Sequence, residues 1–206
     1  MRARILLIAT FLITAGCQRT PAPTRYVPRN ESFDLDLDVA GNLDRAYEEI
    51  EEVMRRLPGV NSDLVEMSRT FDNYPTFAAS FSAVNRAMLY EGVPSDTEQR
   101  DDKRKIVELG HYQFYESPKD VAGEQLASLQ QLLSHTSTVY PFRGLKDCDD
   151  GFHPDWRLEW QDGPHKWHAD FCFGCMELEI VRDDTRILYC DLRDASSLLA
   201  AFDQSN

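Results

Sequence analysis

From Trp156 to Tyr189 apolar residues recur at every second position, and that spacing leaves little room for anything except antiparallel sheet. Trp156, Leu158 and Trp160 alternate with Arg157 and Glu159. Trp167, Ala169, Phe171 and Phe173 form a second row, Met176, Leu178 and Ile180 a third, and Ile187–Tyr189 opens a fourth. Period two sends successive side chains to opposite faces of a strand, so each row marks one buried face. Asp162-Gly163 and Asp183-Asp184 lie between rows, where tight hairpin turns need residues that tolerate positive φ. Three or four antiparallel strands are therefore expected here, followed by a short helix at about 194–202.

The preceding hundred residues add helices to that sheet. Residues 106–115 read as a strand. Ser117-Pro118-Lys119-Asp120 reads as a helix entry, with Ser as N-cap and Pro in the first turn. Ala122, Leu126, Leu129 and Leu133 would form its buried stripe, before a loop over 136–151. The C-terminal lobe, 103–206, thus reads β-α-β-β-β-β. In residues 31–100, Phe33, Leu35, Leu37 and Val39 alternate with Asp34, Asp36 and Asp38, a strand with one acidic face. Gly41-Asn42 then leads into a helix whose stripe is Leu43, Ala46, Tyr47, Ile50, Val53, Met54 and Leu57, stopped by Pro58-Gly59. Glu51–Arg55 and Glu52–Arg56 are i,i+4 pairs on its wet face. Residues 62–72 fit a strand or a short helix. Phe77, Phe81, Val84 and Met88 recur at helical spacing, with Pro75 in the first turn and Gly92 as the cap. A polar stretch from 91 to 105 divides the two halves. The expected class is α+β, an antiparallel β-sheet with packed helices.

The first 30 residues do not belong to that body. Arg2 and Arg4 precede a nine-residue run, Ile5–Ile13, that is apolar except for Thr10, and then Thr14-Ala15-Gly16-Cys17. Nine is far short of the roughly 20 residues that span a bilayer. A charged start, a short apolar run and small residues before a cut make a signal peptide, residues 1–16. Cys17 after Ala-Gly resembles the lipobox of bacterial lipoproteins, with Thr14 where Leu is preferred. The resemblance implies that the Cys17 sulfur is diacylated and the chain cut just before it, giving a lipid-anchored envelope protein. Gln18 rather than Asp after that Cys resembles the pattern that sorts lipoproteins to the outer membrane, facing the periplasm, in a two-membrane cell. Residues 17–30 carry Pro21, Pro23 and Pro28 and almost nothing apolar, which suits an extended tether.

Charge narrows the partners. The chain carries 22 Lys+Arg and 35 Asp+Glu, a net charge of −13. Five of the basic residues precede position 31 and no acidic one does, so 17 basic residues face 35 acidic ones in the body, a net of −18. Such a body repels nucleic acid and anionic lipid, and suits a cationic protein partner.

Four of the five cysteines remain once Cys17 is lipidated: Cys148, Cys172, Cys175 and Cys190. An even number in an oxidising compartment makes disulfides the first reading, with Cys148 paired to Cys172 or Cys175. Zinc is the alternative, held by Cys148, His153, Cys172 and Cys175, since Gly174 allows both thiolates to face one ion. A thioredoxin-like pair needs its first Cys at a helix N-terminus, whereas Met176–Val181 has strand period. Met176 stands where c-type haem attachment requires His. His168 and Cys172 share a strand face but lie about 13 Å apart at i,i+4, too far for a catalytic pair. Asp34, Asp36 and Asp38 fail the calcium-loop pattern, which wants Gly at the sixth position and Glu at the twelfth. No catalytic residue emerges.

The stretch from about Lys103 to Cys190 resembles small bacterial exported domains with no assigned activity. These carry Cys-Phe-x-Pro, a hairpin and then Cys-Phe-x-Cys. Cys172-Phe173-Gly174-Cys175 fits closely, while Cys148 stands four residues ahead of Phe152-His153-Pro154. In composition alone, an acidic lipoprotein with disulfides is similar to periplasmic inhibitors of lysozyme. The expectation is a non-enzymatic envelope lipoprotein acting as a binding module. The alternatives are an acidic inhibitor or immunity-type protein against a cationic enzyme or toxin, and an envelope metal-dependent hydrolase.

Overall fold

The expected sheet rows are present, and they build a seven-stranded antiparallel sheet in the order β4-β1-β6-β7-β8-β9-β5. The computed structural model describes residues 43–56, 62–96, 99–135, 138–143 and 151–203. Three helices open it: α1 (Leu43–Arg56), α2 (Ser62–Arg69) and, after a 3₁₀ turn at Thr70–Asn73, α3 (Tyr74–Ala83). Strand β1 (Arg86–Glu91) follows, then β2 (Ile106–Leu109), β3 (Tyr112–Tyr115), β4 (Lys119–Ala122) and helix α4 (Gly123–Leu133). Next come β5 (Val139–Pro141), β6 (Trp156–Asp162), β7 (His165–Cys172), β8 (Glu177–Arg182), β9 (Thr185–Leu192) and helix α5 (Ala195–Asp203). Strands β2 and β3 form a separate two-stranded sheet, joined to the end of β1 by a Gly92–Phe114 bridge. The class is α+β. Among the described residues no helix is long and apolar enough to cross a membrane.

One sheet face meets the helices across an aromatic spine. Phe71, Tyr74, Phe77 and Phe81 recur along the 3₁₀ turn and α3 and lie in ring contact in sequence. Phe81 then reaches Trp160 with centroids 5.1 Å apart, and Trp160 stacks on Trp167. Trp160 Nε1 donates to Ser80 Oγ (3.1 Å), so the indole's polar atom is satisfied while its rings are buried. Tyr74 donates to the carbonyl of Leu133 (2.8 Å), which joins α4 to the same spine. Leu158, Ala169, Phe171, Leu178, Ile180, Leu188 and Cys190 complete the core from the sheet side.

Several expectations need correction. The helix expected to run past Met88 to a cap at Gly92 ends at Ala83: Val84 is extended, and Gln130 of α4 donates to the carbonyls of Phe81 and Val84. Met88 lies in β1, where pairing with both β4 and β6 outweighs its helical spacing. Ser117-Pro118 does not start a helix either. Lys119–Ala122 forms β4 against β1, the helix begins at Gly123, and Val121 rather than Ala122 is buried. The strand expected over 106–115 is a hairpin turned at Gly110, whose φ is +67°. The C-terminal lobe therefore has more strands than β-α-β-β-β-β. The polar stretch 91–105 leads from β1 of the seven-stranded sheet into β2 of the hairpin, and strands from both sides of it share the larger sheet, since β1 lies between β4 and β6. Glu51 accepts from Arg69 at 2.5 Å, and the side chains of Arg55 and Arg56 are not described. The expected strand at 33–39, the signal, the tether and Cys17 lie outside the described residues.

Gly92 has a different task from the one expected. Its N–H donates to the carbonyl of Asp155 (2.8 Å), and a Cβ there would stand 2.0 Å from the Pro154 oxygen. Gly92→Ala is expected to destabilise the fold by about 1–3 kcal/mol, as overpacking against backbone does. Gly174→Ala, with nothing within 4 Å of its Cβ, should stay within about 0.5 kcal/mol of the parent. Urea denaturation checks both, and equal midpoints for the two variants would contradict the close approach.

Candidate functional site

Of the residues singled out in the sequence, Cys172, Cys175 and His153 lie together at one end of the sheet, where β7 turns into β8. The turn is well held. Cys172 ends β7, and its sulfur accepts the N–H of Cys175 (3.3 Å) and that of His153. Asp155 accepts the N–H groups of Phe173 (2.6 Å) and Gly174. Its own N–H donates to the carbonyl of Phe171 (2.7 Å), and its carbonyl serves Gly92. Met176 has φ +58°, a left-handed conformation uncommon for a residue with a side chain. Burial pushes the Cys172 thiol above its ordinary pKa, and the two N–H donors pull it partly back. Burial likewise raises the Asp155 carboxyl, against the pull of those backbone donors and of His153.

The four cysteines do not gather into one cluster. Cys172 and Cys190 are buried, form no disulfide and lie on opposite faces of the sheet. Cys190 lies in register with Leu178 in the core under the helices, while Cys172 aligns with Glu177 and Asp191 on the other face. No two described cysteines are bridged to each other. Cys175 is disulfide-bonded, and its partner lies outside the described residues, as Cys148 does. The Cys175 sulfur stands 3.5 Å from the carbonyl oxygen of Gly151. Among the described residues no three His, Cys, Asp or Glu side chains are placed to hold a metal ion. His165 is exposed and pairs with Asp183, and His168 lies on the opposite face of β7.

A pocket of about 320 Å³ adjoins the turn, at the ends of β1 and β6. Glu91, Asp96, Gln99, His153, Asp155 and Trp156 line it. Glu91 is paired with Arg104 (2.7 Å). The lining is acidic with an aromatic wall, a combination suited to a cationic group.

The second face of the sheet holds what the sequence reading missed. Arg157 and Glu159 alternate with the apolar row of β6, yet Arg157 is buried. Its Nε and Nη2 donate to the two oxygens of Asp170 (2.6 and 2.7 Å), a bidentate pair. Its Nη1 donates to the carbonyl of Leu109 (3.0 Å), and its guanidinium lies 4.7 Å from the Phe114 ring centre. The β2–β3 hairpin thus covers this face, and reading it as one straight strand concealed the cover. Gly110, between two short apolar runs, was the available signal. Burial pushes the Asp170 carboxyl up to about 6, opposed by Arg157 and reinforced by Glu179 and Glu159. His168, beside it, is lowered to about 3 by burial and by the charges of Arg157 and Lys166.

The chain matches no protein-family model, no curated protein and no solved structure.

Two outcomes follow from the buried pair. Arg157→Met alone strands a buried carboxylate and is expected to cost about 3–5 kcal/mol, whereas Arg157→Met with Asp170→Leu should recover most of that loss. Additive losses in urea denaturation would contradict the pair. The folded chain also refuses a proton on His168 down to about pH 3, while the unfolded chain accepts one near 6.5. Stability from this group is therefore present above 6.5 and lost as pH falls. Asp170 has the opposite sign, because its folded form binds a proton near 6 and its unfolded form only near 3.8. His168→Gln should accordingly gain stability relative to the parent between pH 7 and pH 4, read from denaturation midpoints. A constant offset across that range would contradict the buried neutral imidazole.

Proposed function

We propose that the chain is an envelope lipoprotein that acts as a binding module, held on the membrane by lipid on Cys17 and offering its acidic body to a cationic protein. The observation that supports this most is the pocket where Glu91, Asp96 and Asp155 stand beside Trp156. A lysine or arginine side chain entering it meets carboxylates and an aromatic surface together, the two features that bind an organic cation. Cys148 is the proposed partner of Cys175, three residues ahead of the Gly151 carbonyl that approaches the Cys175 sulfur. That bond would fasten the loop bearing His153 and Asp155, two of the pocket's residues. Residues 17–30 supply the tether between lipid and body.

The expected outcome is capture of basic proteins from envelope extract, weakening as salt rises. Screening strengthens because the Debye length shrinks from about 10 Å at 0.1 M to about 3 Å at 1 M. Glu91→Gln with Asp96→Asn should weaken the same capture at low salt. Cys17→Ser should remove the protein from the membrane fraction and leave capture intact. Salt-insensitive capture, or capture unchanged by the double variant, would contradict a cationic partner in this pocket.

A further inference from the structure

The turn between β7 and β8 carries two cysteines in different states. Cys175 is in a disulfide, whereas Cys172, three residues earlier, forms none. Cys172 is in register with Glu177, so residues 173–176 make the whole turn, and Met176 closes it at φ +58°. In a reversal this tight, residues i and i+3 approach to within about 7 Å at Cα, close to the range of about 4.4–6.8 Å that disulfides span. The contact is already made from one side, because the Cys172 sulfur accepts the N–H of Cys175 at 3.3 Å.

The same sulfur accepts the N–H of His153. It therefore sits between the bonded residue of the turn and the loop that supplies His153 and Asp155 to the acidic pocket. Two N–H groups aimed at one sulfur favour its thiolate over its thiol, the form that attacks a disulfide. Cys172 and Cys175 are only 3% and 5% exposed, so a thiol from outside reaches neither, while a neighbour in the same turn needs no access. Cys190 has no such neighbour, since it lies in the core on the other face of the sheet.

We propose that Cys172 is the exchange thiol of a disulfide switch, which moves the Cys175 bond from the pocket's loop into the turn. The Cys172 thiol gives its proton to water, and its thiolate attacks the Cys175 sulfur. The Cys172–Cys175 bond forms as the bond from Cys175 to its partner breaks, and the partner sulfur leaves as a thiolate and takes up a proton. One disulfide and one thiol enter the step and one of each leaves it, so no oxidant or reductant is consumed. With Cys148 as the partner, the exchange frees the loop before Gly151 and removes the sulfur that accepts from His153. The consequence for the pocket rests on the binding-module reading, whereas the exchange itself does not.

The test is native alkylation of the full-length protein in detergent, without reductant, using iodoacetamide as the probe. Label sites and disulfides are read by peptide mass spectrometry. A brief treatment at neutral pH should leave Cys172, Cys175 and Cys190 unlabelled. Prolonged treatment at mildly alkaline pH should place label on Cys148, with Cys172 and Cys175 recovered bonded to each other. Cys172→Ser is expected to slow that labelling about tenfold or more, because it removes the attacking sulfur. Three results would overturn the switch: label on Cys172 with the Cys175 bond intact, no native label after prolonged treatment, or label on Cys148 at the parental rate in Cys172→Ser. Labelled protein should also capture less basic protein from envelope extract at low salt than the unlabelled parent does, and equal capture would overturn the release of the loop. An unlabelled parent that captures nothing would count against the binding-module reading, while intact capture without exchange removes only the switch.

Discussion

Every sheet of this kind has two faces, and the described helices, gathered over one of them, leave the other to be covered by something else. Here that cover hangs on Arg157. One guanidinium holds Asp170 of the neighbouring strand, the Leu109 carbonyl of the hairpin and the face of Phe114. Around it Glu179 pairs with Arg186, Tyr189 donates to Glu177, and Phe152 lies between Tyr112 and Tyr189. Charged groups so deep in a protein carry a desolvation cost that only close pairing offsets. The face is consequently specific: few other arrangements of hairpin and sheet would satisfy all of these partners together.

That division of faces positions the candidate site. With the helices on one side and the hairpin on the other, access remains at the ends and edges of the sheet. The acidic pocket lies at one end of β1 and β6, beside the Cys172–Met176 turn, and the two strands part at their other end. Both depend on β1, which is drawn toward β4 at its start and toward β6 at its finish. The loop through His153 and Asp155 is fixed from three directions, by Gly92, by Phe171 and by the turn at Phe173. In the proposed role, a surface held in this way would lose little entropy on binding.

How much was legible depended on whether local pattern and tertiary pairing agreed. The strand rows between Trp156 and Tyr189 and the turn at Asp183-Asp184 read correctly because alternation and turn residues gave the same answer, while the first hairpin turns one residue later than expected, at Gly163-Pro164, and Phe173 and Met176 belong to the turn between β7 and β8. Phe77 and Phe81 were correctly helical, but Val84 and Met88 continued the same spacing by coincidence into β1. Ser117-Pro118 carried helix-entry chemistry five residues early, since β4 is too short to announce itself in period two. Arg157 was the deepest miss. A charged residue opposite an apolar row implies solvent unless the element that covers it is recognised, and the hairpin was read as a single strand. The cysteines were singled out for good reason, yet their separation onto two faces follows from register, which sequence spacing alone does not fix.

The assignment of faces is the claim on which the rest depends, and cysteine chemistry tests it most directly. Protein purified from the envelope without reductant would be alkylated before and after denaturation and its peptides identified by mass spectrometry. The account predicts Cys172 and Cys190 as free thiols that react only after denaturation, with Cys175 recovered in a disulfide, proposed to be with Cys148. A bond between Cys172 and Cys190 would contradict the account, because the sheet itself stands between those two side chains.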